Sequence, residues 1–499
     1  MNIRDAYEEL CRTIAAYTAK NEAGLYRIPV ESRRPLLLMG APGIGKTAVV
    51  KQAAVRCKVA FLSYAMTHHT RQSAIGLPVI RERAFRGTPY SITEYTMSEI
   101  VGDILRAMEE TGQEEGVLFL DEINCVSETL LPSMLRLLQF KSFGSHRLPD
   151  GWMIVAAGNP PGRYNRSARE FDIVTLDRVR LLSLEPDLEA WRSYALRRTV
   201  HGAILSYLSL RPEHFYIFRR TEKGIEFVTP RSWEDLSKAL ETYEDLSLPT
   251  DHRFFSQYLQ CGEVLEEFSS YYRLYGKLTR HPGLDSLTGS GKLPEGFPAL
   301  KDAPADEQLL LAGYLVQNIH RQLSSWEEKR LLSESLEYFM DGLEALRPDF
   351  SGLNDACAEL LAKRNTALQK KKEFGLLSRQ EETRERLLAG QVKALACEVR
   401  LKGPETTENA NAEPNTDGTA EASAVPVMRM LSERIHSEAE QDALRLEAVF
   451  QGILAFVPEV FGDGLTTCFF FTELLEHPET KAFLRGRMKA VYDRFTQFT

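Results

Sequence analysis

The sequence predicts an α/β fold, a parallel sheet with helices on both faces, followed by an α-helical lid and further all-α regions towards the C-terminus. Three observations carry this reading. Leu36–Met39 is an apolar run that ends in G-x-x-x-x-G-K-T at Gly40–Thr47, and a helix-forming run follows from Ala48 to about Cys57. Val117–Leu120 is a second apolar run, and it delivers two carboxylates, Asp121 and Glu122. From Glu185-Pro186 onward the apolar spacing is wholly helical.

Length and composition bound the answer. A chain of 499 residues is too long for one ordinary core, which favours two to four domains. With 43% hydrophobic and 26% charged residues it has the composition of a globular protein. No apolar run reaches the length of a membrane span, and Met1–Asp5 does not open a signal peptide, so a cytoplasmic location is expected. The seven cysteines are scattered and include no C-x-x-C pair, which argues against a disulfide framework and a zinc site. A net charge of -9 leaves no basic footprint for nucleic acid over the whole chain.

Taken in order, residues 4–19 carry Ala6, Leu10, Ile14 and Tyr17 at helical spacing. In the loop Gly40-Ala41-Pro42-Gly43-Ile44-Gly45-Lys46-Thr47, glycines let backbone N–H groups approach phosphate oxygens, and the next helix adds its positive end. Lys46 would reach the β- and γ-phosphates of ATP, and Thr47 would ligate Mg²⁺. A strand is expected at Ala60–Tyr64, then a hairpin over Pro78–Thr96 and a helix over 97–110. Ligands of parallel α/β sheets sit at the C-terminal ends of the strands, so Asp121 and Glu122 should converge there with the phosphate loop. Asp121 would hold Mg²⁺ through water, and Glu122 would take a proton from the attacking water.

A helix through Leu130–Leu138 leads to a short hairpin over Phe140–Trp152 and a strand at Met153–Ala157. The strand ends at Gly158-Asn159, where a short amide can bond both the γ-phosphate and the attacking water. Five arginines follow, Arg163, Arg166, Arg169, Arg178 and Arg180, and Arg178 in Leu176-Asp177-Arg178 is chosen as the cation for the transferring phosphoryl group. Thr229-Pro230-Arg231 starts a helix with Thr229 as N-cap and Pro230 at its first position. Arg231 then lies where the helix dipole disfavours a cation, a reason to look for a phosphate. The expected segments are 1–185 (nucleotide-binding), 186–278 (helical lid), 279–402 (helical), 403–426 (disordered acidic linker, with no aromatic or basic residue) and 427–499 (C-terminal helical).

Together these motifs resemble the AAA+ ATPases, more narrowly the MoxR-like group, over residues of about 30 to 278. Gly40–Thr47 stands as Walker A, Leu118–Glu122 as Walker B, Asn159 as sensor 1, Leu176–Arg178 as the arginine-finger segment and Thr229–Arg231 as sensor 2. The hairpin after Ile75-Gly76-Leu77-Pro78 looks like that group's helix-2 insert. The resemblance implies a homo-oligomeric ring, commonly hexameric, in which ATP lies between subunits and hydrolysis remodels a protein client, often beside a partner with a von Willebrand factor A domain. Two other classes stay open: a nucleotide-regulated binding module with little turnover, and a nucleic-acid motor, which the acidic balance disfavours.

Overall fold

The computed structural model describes residues 1–69, 72, 76–85, 88–143, 146–164, 167–198, 200–222, 224–279, 282–292, 304–402, 423–462 and 464–497. Their contacts divide them into two units, Met1–Ala190 with Thr366–Ser378, and Trp191–Asn365 with Arg379–Thr499.

In the first unit the chain runs α1 (Ile3–Thr18), β1 (Leu36–Gly40), α2 (Lys46–Cys57), β2 (Ala60–Ala65), a hairpin of β3 (Pro78–Phe85) and β4 (Thr88–Tyr95), and α3 (Glu99–Thr111). It continues as β5 (Gly116–Asp121), α4 (Leu131–Phe140), a short hairpin of β6 (Ser142–Phe143) and β7 (His146–Arg147), β8 (Trp152–Gly158), α5 (Ile173–Leu176) and β9 (Arg180–Leu184). Five strands form one parallel sheet in the order β2-β5-β8-β1-β9. Its central strands are apolar on both faces, which requires cover on both; Leu36–Leu38, Val117–Leu120 and Val155–Ala157 are fully buried. This is the α/β P-loop AAA+ core that the sequence predicts.

Because β8 lies between β1 and β5, three C-terminal strand ends stand side by side. Met39 is in register with Gly158, and Leu120 with Ala156. The phosphate loop, Asn159 and the Asp121-Glu122 pair therefore leave the sheet at one edge.

The fifth strand was not expected. Arg180-Leu181-Leu182-Ser183-Leu184 forms the outer strand beside β1, with only Leu184 fully buried. An edge strand needs no continuous apolar run, and its polar positions read as part of the arginine-rich stretch.

The other edge is covered from far along the chain. The helix Leu353–Glu373 ends in a Schellman motif, with the Leu376 N–H donating to Lys371 O (2.8 Å), the Gly375 N–H to Lys372 O (3.2 Å), and Gly375 left-handed at φ +66°. Phe374 is 0% exposed and shares one core with Leu37, Ala60, Met66 and Ile104. Its carbonyl accepts the Phe61 N–H of β2 at 2.9 Å, and Glu373 pairs with Arg106 of α3 at 3.2 Å. Phe374→Ala should destabilise this unit by about 3–5 kcal/mol through the cavity it leaves. The measurement is the first melting transition of the full chain, and an unmoved transition would mean that the tip contributes nothing to the fold.

The second unit takes in most of α6 (Leu188–Arg197), then α7 (Gly202–Leu210), β10 (Ile217–Thr221), β11 (Gly224–Val228), α8 (Pro230–Asp245), α9 (His252–Phe255), α10 (Gly262–Thr279) and α11 (Pro282–Ser290). There follow α12 (Ala305–Leu346), α13 (Leu353–Glu373) as far as Asn365, α14 (Arg379–Lys402), α15 (Val425–Phe461), α16 (Leu465–Glu476), α17 (Pro478–Arg487) and α18 (Lys489–Phe495). The expectation of a wholly helical pattern is corrected here: β10 and β11 pair antiparallel from Ile217↔Val228 to Thr221↔Gly224. The turn-rich stretch after 278 likewise contains α11.

Contacts group the sequence segments differently from composition. Leu284 and Leu287 of α11, Ile319 and Leu323 of α12, Phe450 of α15, Phe471 of α16 and Phe495 of α18 share one core. Residues 403–422, the body of the expected linker, lie outside the described residues, and α15 begins at Val425. All seven cysteines are free thiols. Among the described residues no helix is long and apolar enough to cross a membrane.

Candidate nucleotide site

The phosphate loop is held from below by β1. Gly40 faces Leu184 of β9 so closely that a Cβ would lie 2.9 Å from its carbonyl oxygen. Gly43 and Gly45 adopt φ +77° and +93°, a region costly to residues with a Cβ, and Gly45 is the N-cap of α2. Having no side chain, that cap offers no oxygen of its own to the first N–H groups of α2, which suits an anionic ligand.

Lys46 is nearly buried, and its Nζ donates at 2.9 Å to each of Gly40 O, Ala41 O and Asn159 Oδ1. The ammonium is thus already bridged from the loop of β1 to the end of β8. Thr47 Oγ1 donates to Asp121 Oδ2 at 2.9 Å, joining the start of α2 to the end of β5. Asp121 Oδ1 accepts the Glu122 N–H at 2.9 Å. Glu122 itself is left-handed, at φ +55° and ψ +35°, a conformation that costs a residue with a Cβ on the order of 1 kcal/mol. Its Oε2 accepts a hydrogen bond from Thr67 Oγ1, two residues beyond β2, at 2.9 Å.

Thr47 and Asp121 offer the Mg²⁺ ion hard oxygen donors 2.9 Å apart. Magnesium takes only one or two protein ligands beside substrate phosphates and keeps several waters. Among the described residues no group of three or more His, Cys, Asp or Glu is placed to hold a metal ion.

Of the sequence-predicted residues, Gly40–Thr47, Asp121, Glu122 and Asn159 come together. Arg178 does not. It follows the short helix α5, whose N-cap Asp172 accepts the Thr175 N–H at 2.7 Å. Hydrogen bonds from the Thr175 side chain and backbone hold that carboxyl below its ordinary pKa. Arg178 is exposed and precedes β9, whose Arg180 is in register with Leu36 and whose Leu184 is in register with Gly40. It therefore stands at the N-terminal edge of the sheet, away from its own phosphate loop. Arg163 lies over the Tyr164 ring, Arg169 pairs with Glu128, and Arg180 pairs with Glu9; Arg166 lies outside the described residues. Arg231 belongs to the second unit, in the first turn of α8, with Thr229 as N-cap accepting the Ser232 N–H and Pro230 at the first position.

Two residues of the site escaped the sequence reading. Thr67 follows no motif. Asn124 stands two residues beyond Glu122, and its side chain donates to Asn159 O at 2.8 Å.

Residues 35–179 match the model of a family described as AAA domain, dynein-related subfamily. Among solved structures the chain is similar to NtrX from Brucella abortus in complex with ATP, at 15% identity, over 42% of this chain and 41% of that one, with a TM-score of 0.24. The same protein in complex with ADP gives 16% identity, 40% of each chain and a TM-score of 0.23. The chain thus spans about two fifths of the structures it matches, a likeness too partial to speak for this protein's activity. No curated protein matches it.

Proposed function

Since this chain carries an AAA+ domain over residues 35–179, we propose that it hydrolyses ATP to ADP and phosphate as a MoxR-like remodeller of a protein client. The observation that carries the proposal is the row of 2.9 Å hydrogen bonds joining Lys46 to Asn159 and Thr47 to Asp121 at one sheet edge. Three strands and one helix bring these groups together.

The chemistry follows from what each group can exchange. Lys46 can pass from two carbonyls to the β- and γ-phosphates, because an ammonium gains more from an anion than from a neutral oxygen. When bound by Thr47 and, through water, by Asp121, Mg²⁺ supplies neutralisation of phosphate charge. Glu122 accepts the proton of the attacking water once the Thr67 hydroxyl gives up Oε2. Asn159 donates to the γ-phosphate or orients that water. The exposed Arg178, remote from its own loop, serves the site of a neighbouring subunit in a homo-oligomeric ring, commonly a hexamer, and Arg231 acts as sensor 2. The family resemblance adds a von Willebrand factor A domain partner and a cytoplasmic setting.

Lys46→Ala removes a charged donor, and such hydrogen bonds contribute about 1.5–3 kcal/mol. ATP affinity, measured by calorimetry on the full chain, should fall roughly 10- to 150-fold; an unchanged affinity would remove the phosphate-loop assignment. Phosphate release by the wild-type chain tests hydrolysis. Co-purification from the native cell with the Glu122→Gln variant, held in its ATP state, tests the client and partner.

One observation favours the second reading, a nucleotide-regulated binding module with little turnover. The Thr67 hydroxyl engages the carboxylate that must act as base. If Thr67→Ala leaves a negligible wild-type rate negligible, that reading gains over the remodeller.

A further inference from the structure

Asn124 is 2% exposed, and its amide meets two backbone carbonyls: Nδ2 donates to Asn159 O at 2.8 Å and to Arg169 O at 3.3 Å. An amide nitrogen carries two hydrogens, so both donors are used. The Asn124 backbone carbonyl in turn accepts the Arg169 backbone N–H at 2.9 Å. Gly158 packs against the same side chain so closely that a Cβ there would lie 2.6 Å from Asn124 Oδ1. Beyond this clamp, Asn159 Oδ1 receives the Lys46 ammonium.

One buried side chain therefore ties together the turn that carries Glu122, the strand end that carries Asn159, and the segment from Arg169 that continues to Arg178. We propose that Asn124 is a positioning residue. It fixes the Asn159 peptide so that the Asn159 amide faces the γ-phosphate, and it passes the state of that strand end to the 167–178 segment. This rests on the ATPase reading above. The physical reason is that only two side-chain torsions, χ1 and χ2, separate the Asn159 amide from a peptide held at 2.8 Å, so a shift of that peptide carries the amide with it. A carboxylate in place of the Asn124 amide would turn two attractions into repulsions, since it offers no proton to either carbonyl.

The test uses the full chain with Asn124→Asp, Asn159→Ala and the double variant. Asn124→Asp should lower kcat roughly 10- to 100-fold, the span of a lost buried hydrogen-bond pair, with KM for ATP and the calorimetric ADP affinity nearly unchanged. If Asn124 acts through Asn159, the double variant should match Asn159→Ala alone; independent structural damage would instead add to it. Additive losses overturn the inference. Should Asn124→Asp not fold, Asn124→Ser keeps one donor and should give an intermediate kcat at a near-wild-type melting temperature; full activity there also overturns it.

Hydrogen exchange over residues 167–178 gives an arm independent of turnover. ATP should change exchange in the wild type and not in the folded Asn124 variant, and an equal change in both sinks the proposal. A wild-type chain that releases no phosphate overturns the hydrolysis reading alone, and the exchange result still decides the role of Asn124.

Discussion

Arg178→Ala is expected to bind ATP almost normally and to lose roughly 10³–10⁵ in turnover, the range of arginine fingers. Arg178 precedes β9, and the phosphate loop follows β1; the two strands run parallel with Arg180 beside Leu36 and Leu184 beside Gly40. At about 3.3 Å per residue, that register separates Arg178 from its own Gly40 by more than about 13 Å along the sheet. In the proposed ring a cation so placed would reach a neighbouring subunit's site rather than its own. Lys46→Ala spoils its own pocket yet can still present Arg178, so mixing the two inactive variants should restore some turnover through composite sites. Activity proportional to monomer, no assembly on adding ATP and no rescue on mixing would refute a shared site. Arg231→Ala is the useful comparison, since the sequence leaves open whether it acts within its subunit or across the interface.

Glu122→Gln should keep nucleotide binding and reduce turnover by on the order of 10²–10⁴, because it preserves size and removes the base. The substitution also leaves the hydrogen bond from the Glu122 N–H to Asp121 Oδ1 in place, since that donor is backbone. Single-turnover phosphate release against calorimetric affinity separates the two effects. Wild-type turnover in this variant would take Glu122 out of the mechanism.

The strands β1, β5 and β8 were legible because burial on both faces writes an unbroken apolar run, as in Leu36–Met39 and Val117–Leu120. The phosphate loop and the Thr229-Pro230 helix start were legible because their chemistry is local, fixed by glycine torsions and by one hydroxyl. What was hidden depends on position in the sheet or on distance along the chain. β9 is an edge strand with alternating exposure, and β10 carries Arg219, Arg220 and Thr221 outward, so neither shows a run. The grip of Thr67 on Glu122, and of Asn124 on Asn159 and Arg169, joins segments that only the sheet order brings together. Local patterns contain no trace of that order. Phe374 is the extreme case: nothing near it in sequence announces that it completes a core begun by Leu37.

The docking of Phe374 has a consequence for how the protein is made. Domains generally fold as units during synthesis, at about 5–20 residues per second. Here the nucleotide-binding unit cannot finish when its first 190 residues have emerged, because the segment Thr366–Ser378 has yet to be translated. For on the order of tens of seconds at those rates, the Phe61 amide and the apolar seat of Phe374 face the solvent and whatever lies near the ribosome. An open strand edge beside exposed apolar surface is the form of nascent chain that mispairs with its neighbours. The same dependence makes the first unit impossible to excise as one contiguous stretch: a chain ended at Ala190 keeps the phosphate loop, Asp121, Glu122 and Asn159 and lacks the piece that closes its sheet.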